Sequence, residues 1–156
     1  MSSTPQSLAP WLWLLLAAFC LRVFGQMLVA FVGVSWLPPM DEWYSGLLPY
    51  PYLLPSQFLI IVLYGKICLD FTRGDGFFVR PYTGFGSGVL VFGYVYLAAM
   101  VLRYIIQMSL HPEARWFGGT IPIFFHWVLA TFIIAFGRFH RAQPRNRDRL
   151  DADHGN

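Results

Sequence analysis

Four long apolar runs separated by short polar stretches set the pattern of this chain, and none alternates residue by residue as a barrel strand would. A bilayer core of roughly 30 Å is crossed by about 20 helical residues, each rising about 1.5 Å, with every backbone group bonded internally. Helices are therefore predicted from about Trp11 to Val34, Leu53 to Phe71, Gly86 to Leu110 and Gly118 to Arg138. The expected fold class is an all-α integral membrane protein with four transmembrane helices. Its expected parts are an N-terminal segment (1–10), a first transmembrane hairpin (11–72) with a large outer loop (35–52), a connecting loop (73–85), a second hairpin (86–140) and a charged tail (141–156).

Within the runs the polar residues recur. Leu21-Arg22-Val23-Phe24-Gly25-Gln26-Met27 is echoed by Leu102-Arg103-Tyr104-Ile105-Ile106-Gln107-Met108, and Trp43-Tyr44-Ser45-Gly46-Leu47-Leu48-Pro49 by Trp116-Phe117-Gly118-Gly119-Thr120-Ile121-Pro122. The pattern predicts two tandem helical-hairpin repeats, parallel because each begins on the same side and contains an even number of spans. Gln26 and Trp43 are 17 positions apart, against 9 for Gln107 and Trp116, so the first outer loop is the larger.

Charge adds an orientation. Lys66, Arg73 and Arg80 surround the middle connection, and five arginines follow Gly137, whereas the opposite connections hold Asp41, Glu42, His111, Glu113 and one arginine, Arg115. The positive-inside tendency then puts both termini and the middle loop in the cytoplasm, in a bacterial-type inner membrane. The tail from Arg141 is polar, contains Pro144 and lacks apolar periodicity, so it is expected to be disordered or surface-lying.

Composition agrees: 56% of the 156 residues are hydrophobic and only 12% charged, against about a quarter charged in soluble domains. The net charge of +3 does not point to nucleic acid, because eight of the eleven Lys and Arg residues sit at segment ends. Cys20 and Cys68 fall in apolar runs and read as small hydrophobes, not as a disulfide framework. The first run contains Arg22 and Gln26, is long, and has no Lys or Arg before it, so it is expected to stay in the mature chain instead of leaving as a signal peptide.

The candidate chemistry starts from Arg22 and Arg103, because an intramembrane arginine costs about 2.5–3.5 kcal/mol on insertion scales unless it is paired, snorkels or faces a wet cavity. No acidic residue lies at a span centre, leaving Gln26, Gln57, Tyr94, Tyr96, Tyr104, Gln107, carbonyls and water to satisfy the guanidinium donors. Two arginine forks with glutamines beside them suit an anionic lipid headgroup or a small amphipathic anion, with Arg22, Gln26, Gln57, Arg103, Tyr104 and Gln107 as candidate ligand-binding residues. The alternative is a clamp in which the arginines reach Asp41, Glu42 or Glu113 at the outer rim. Trp43, Tyr44 and Trp116 are expected on an outer-loop surface, where prolines break helices and aromatic rings suit the headgroup zone.

His126, one turn after Pro122, is the candidate catalytic acid or base. A satisfied interhelical histidine is the plainer reading. His140, fourteen positions on, raises a haem arrangement, which is not expected in the absence of histidine on any other span. No metal site is expected, since there is no close cysteine pair and no His-Glu-x-x-His. Ser56, Ser87 and Ser109 have no evident triad partners. Gly84 to Gly88 is expected to serve close packing, Arg73-Gly74-Asp75-Gly76 to form a tight turn, and Lys66 and Asp70 to form an interfacial ion pair worth little. The expected function is a non-catalytic membrane module binding an anionic lipid or amphipathic molecule, or a subunit of a homo-oligomer or larger complex. A membrane enzyme using His126 and a small transporter or electron-transfer subunit are the alternatives, and no cofactor is specified.

Overall fold

A computed structural model describes residues 4–43, 49–80, 83–110 and 120–153, and among these every regular element is helical. Helices α1 (Pro5–Met27), α2 (Tyr50–Arg73), α3 (Thr83–Leu110) and α4 (Thr120–Asp153) are each long and apolar enough to cross a membrane.

The helix ends differ from the sequence expectation for local chemical reasons. α1 starts at Pro5, six residues before Trp11, because Thr4 caps it by accepting from the Ser7 amide, and a proline in the first turn has no N–H to waste. It continues through a π-helical turn, Leu28–Val32, and stops at Gly33, whose φ of 68° gives the left-handed cap. Pro49 and Pro51, expected to break helices, instead start α2: Pro49 is its N-cap and Pro51 lies in the first turn. α4 runs past Arg138 to Asp153, so the tail expected to be disordered or surface-lying is helical.

The core lies where α1, α2 and α4 meet. α1 supplies Leu12, Leu16, Phe19 and Val23, α2 supplies Tyr64, Ile67, Cys68 and Phe71, and α4 supplies Leu129, Phe132, Phe136 and Phe139. Tyr64 stacks on Phe132 with centroids 3.9 Å apart, and Phe71 tilts against Phe136 and Phe139. Cys20 and Cys68 are both free.

α3 packs on α4 through glycines. A β-carbon on Gly137 would meet the Leu90 backbone at 2.9 and 3.0 Å, one on Gly93 would stand 2.8 Å from Ile134, and one on Gly86 would stand 2.6 Å from the Cβ of His140. Of the Gly84–Gly88 cluster expected to serve close packing, only Gly86 does so, since Gly84 and Gly88 face open space. The rest of α3 is largely uncovered, with Val91, Phe92, Val95 and Leu102 exposed.

After α2 the chain turns tightly. Gly74 caps the helix at φ 70°, and Gly76 adopts φ 129°. Asp70 is buried, pairs with Lys66 and accepts from the Phe78 amide at 3.3 Å. The Lys66 side chain is about half exposed, so the ion pair is a partly solvated one, and it is the Asp70 bond to the Phe78 amide that ties the turn to α2.

Candidate functional site

Arg22 lies in the buried stripe of α1 and is 7% exposed. Its Nη2 donates to the Trp43 carbonyl at 2.8 Å, its guanidinium carbon stands 5.6 Å from the Phe125 ring centroid, and its Nε has no partner. Carbonyl and ring offer partial negative charge but no counter-ion. Glu42 makes no ion pair with Arg22, and one of its own carboxylate oxygens is buried without a partner. Asp41, whose side chain is not described, and Glu113 fall outside the described side chains, so the rim clamp is tested here only for Glu42, which does not form it.

The carbonyl reaches Arg22 because the outer loop folds inward. Trp43, expected on the loop surface, is buried: its indole N–H donates to the Pro38 carbonyl at 2.9 Å, and its ring lies over Gly25, where a β-carbon would be 2.7 Å away. Gly25 is therefore a residue that sequence reasoning missed. The available signal was a glycine inside an apolar helical run, between Arg22 and Gln26. The echoing segment Leu102–Met108 has Ile106 where the first has Gly25. Tyr44 and Trp116 lie outside the described residues.

One turn along α1, Gln26 is fully buried and accepts from the Gln57 amide of α2 at 2.9 Å. The Gln26 amide nitrogen and the Gln57 oxygen have no partner. Interhelical pairs of this kind are worth about 0.6 kcal/mol on average and up to about 1.7 in membrane proteins. Replacing Gln26 alone with leucine strands Gln57 and should cost about 1–2 kcal/mol. Replacing both with leucine should recover most of that loss, and a double-mutant cycle of unfolding in detergent measures the difference.

Arg103 on α3 is half-buried and has no hydrogen-bond or ion-pair partner among the described residues. The two arginines are thus unequal, one enclosed and one partly open. Next to Phe125, whose ring faces Arg22, stands His126 on α4. Tyr96, considered above as an acceptor for a guanidinium, is spent on that histidine instead, with its hydroxyl 2.6 Å from Nδ1. Tyr94 accepts from Arg138 at 2.7 and 3.1 Å, well along α4 from His126. Tyr104 packs its ring against Trp127 at 5.5 Å, and Gln107 is half-buried with contacts of its own. Trp127 leaves a buried indole N–H unpartnered.

Chemically, the enclosed side of α1 offers unspent N–H donors at Arg22 and Gln26, with a neutral acceptor at Gln57. Donors in excess of acceptors, beside positive charge, suit an oxyanion. Among the described residues no three of His, Cys, Asp and Glu gather as a metal site would need. No known family, curated relative or solved structure matches the chain.

Proposed function

We propose that the protein is a four-span module of a bacterial-type inner membrane, with both termini cytoplasmic and two parallel tandem hairpins, that binds the headgroup of an anionic lipid or a similar amphipathic anion. The binding residues are Arg22 and Gln26, with Gln57 as neutral partner and Arg103 as the second charge; Tyr104 and Gln107 line the Arg103 side. The observation that carries this reading is a buried guanidinium held between α1, α4 and a loop, with a carbonyl and an aromatic ring beside it and no ion pair to a described carboxylate. Such a charge is costly in apolar surroundings, and an anion that arrives with its own apolar tail offsets the cost without a second buried charge on the protein. The uncovered face of α3 then lies against lipid or against a neighbouring subunit.

Native mass spectrometry of gently extracted protein tests this. The wild type is expected to retain one anionic lipid, and the Arg22→Ala, Arg103→Ala double variant to lose it while remaining folded. No adduct on the wild type, or an unchanged adduct on the variant, ends the proposal.

A second reading, an enzyme acting on a lipid-linked substrate with His126 as acid or base, draws support from one feature. The His126 imidazole is half-buried, its Nδ1 is held by the Tyr96 hydroxyl, and it follows Phe125, over whose ring the Arg22 guanidinium lies. It requires that His126→Gln abolish turnover of such a substrate while leaving lipid retention intact.

A further inference from the structure

Arg22 is 7% exposed, so an anion reaches its guanidinium only if something that covers it moves. Phe125, with its ring centroid 5.6 Å from the guanidinium carbon, belongs to α4, a helix of the core. Trp43 belongs to the outer loop. It follows a three-residue 3₁₀ turn, Met40–Glu42, and its amide bonds back to the Met40 carbonyl at 3.1 Å. Moving a loop residue gives up a few contacts, whereas moving a span breaks a helix seam.

Three contacts seat Trp43. Its carbonyl accepts from Arg22 Nη2 at 2.8 Å, its indole N–H donates to the Pro38 carbonyl at 2.9 Å, and the tip of its ring lies where a β-carbon on Gly25 would be 2.7 Å away. The contact with the arginine is incomplete. Nε and Nη2 are the parallel prongs of one guanidinium fork, and the carbonyl takes Nη2 while Nε has no partner. A phosphate or carboxylate brings two oxygens for two prongs and a full charge, so it displaces a single neutral carbonyl.

We infer that Trp43 is the latch of the arginine site: its carbonyl holds the place of an anion oxygen on Arg22, and an arriving headgroup displaces it and lifts the indole off Gly25. This rests on the anion reading above and adds how that site opens. The seat requires glycine at position 25, because any larger side chain meets the indole. The loop joins α1 at Gly33, where φ is 68° and nothing lies within 4 Å of the β-carbon position, so the chain turns there without a steric barrier. Closing the latch lowers the apparent affinity by the fraction of chains that are open, and undoing it tightens binding.

The test uses the full chain labelled with 5-fluorotryptophan in phosphatidylcholine nanodiscs, with the Trp43 fluorine resonance assigned by its loss in Trp43→Phe. Added phosphatidylglycerol is expected to move that resonance saturably to a second position, and Gly25→Val to place it there without anionic lipid. Native mass spectrometry of the same samples is expected to give a half-saturating phosphatidylglycerol fraction about threefold to tenfold lower for Gly25→Val than for wild type. Lipid retained by the wild type with an unmoved Trp43 resonance overturns the latch and leaves the anion site standing. No lipid retained ends both. A Gly25→Val chain that binds like wild type, or more weakly, also overturns the latch. Should Gly25→Val fail to fold, Trp43→Phe keeps Gly25 but loses the N–H donor to Pro38, and is expected to tighten retention about twofold to fivefold. Unchanged or weaker retention in that variant overturns the inference.

Discussion

Alanine at Gly137 is expected to destabilise the bundle by about 1–2 kcal/mol, and leucine by about 3 kcal/mol or more, in unfolding from detergent micelles. The nearest atoms in the way are the backbone N and Cα of Leu90, 2.9 and 3.0 Å from the new β-carbon, and backbone cannot rotate aside as a side-chain tip can. Relief requires α3 and α4 to separate, and α3 packs chiefly on α4. Helix propensity works in the opposite direction, since glycine in a helix interior is about 0.5–1 kcal/mol worse than alanine. Gly88→Ala is therefore the control: nothing lies within 4 Å of its β-carbon, and it should be neutral or slightly stabilising. If both substitutions moved stability in the same direction, the close seam between α3 and α4 would be wrong.

Arg22→Met is expected to leave the lipid-free protein within about 1 kcal/mol of wild type while removing its response to anionic lipid. Two terms nearly cancel. Removing the charge recovers an insertion cost of about 2.5–3.5 kcal/mol. Losing the charge-assisted bond to the Trp43 carbonyl gives back about 1.5–3 kcal/mol. The ligand term has nothing to cancel it. An anionic lipid at 100 times its dissociation constant stabilises the wild type by about 2.7 kcal/mol, and this increment should vanish in the variant. Thermal unfolding in neutral micelles, with and without added anionic phospholipid, measures both quantities. A variant that loses several kcal/mol without lipid yet keeps the full lipid response would make Arg22 a structural clamp and nothing more.

These two residues also show how legible the protein was from its sequence. Arg22 stood out at once, because a charge in the middle of an apolar run is expensive and demands a reason. Gly137 did not, because glycine is common in apolar helices and nothing in the chain says which glycine meets a neighbouring backbone. Trp43 was misplaced on the surface for a related reason. Aromatic residues near prolines suit a headgroup zone, and the sequence holds no sign that Gly25, 18 positions earlier, clears a space for the indole. The Gln26–Gln57 pair falls between these cases: both amides were conspicuous, but their meeting at 2.9 Å depends on how α1 and α2 are rotated.

Hydrophobic run length by itself determined the number and approximate extent of the helices, because backbone satisfaction and the rise per residue leave an apolar run of that length few alternatives. The linear chain also determined which polar residues are unusual. Only the tertiary structure decided their surroundings: Arg22 enclosed while its echo Arg103 stays half open, Tyr96 given to His126, and His140 closed in by phenylalanine rings. Periodicity reports what a helix can bury. What each polar atom meets depends on helix rotation, on ångström-scale approach at a few glycines and on the path of a loop, and these are settled by contacts between residues far apart in the chain.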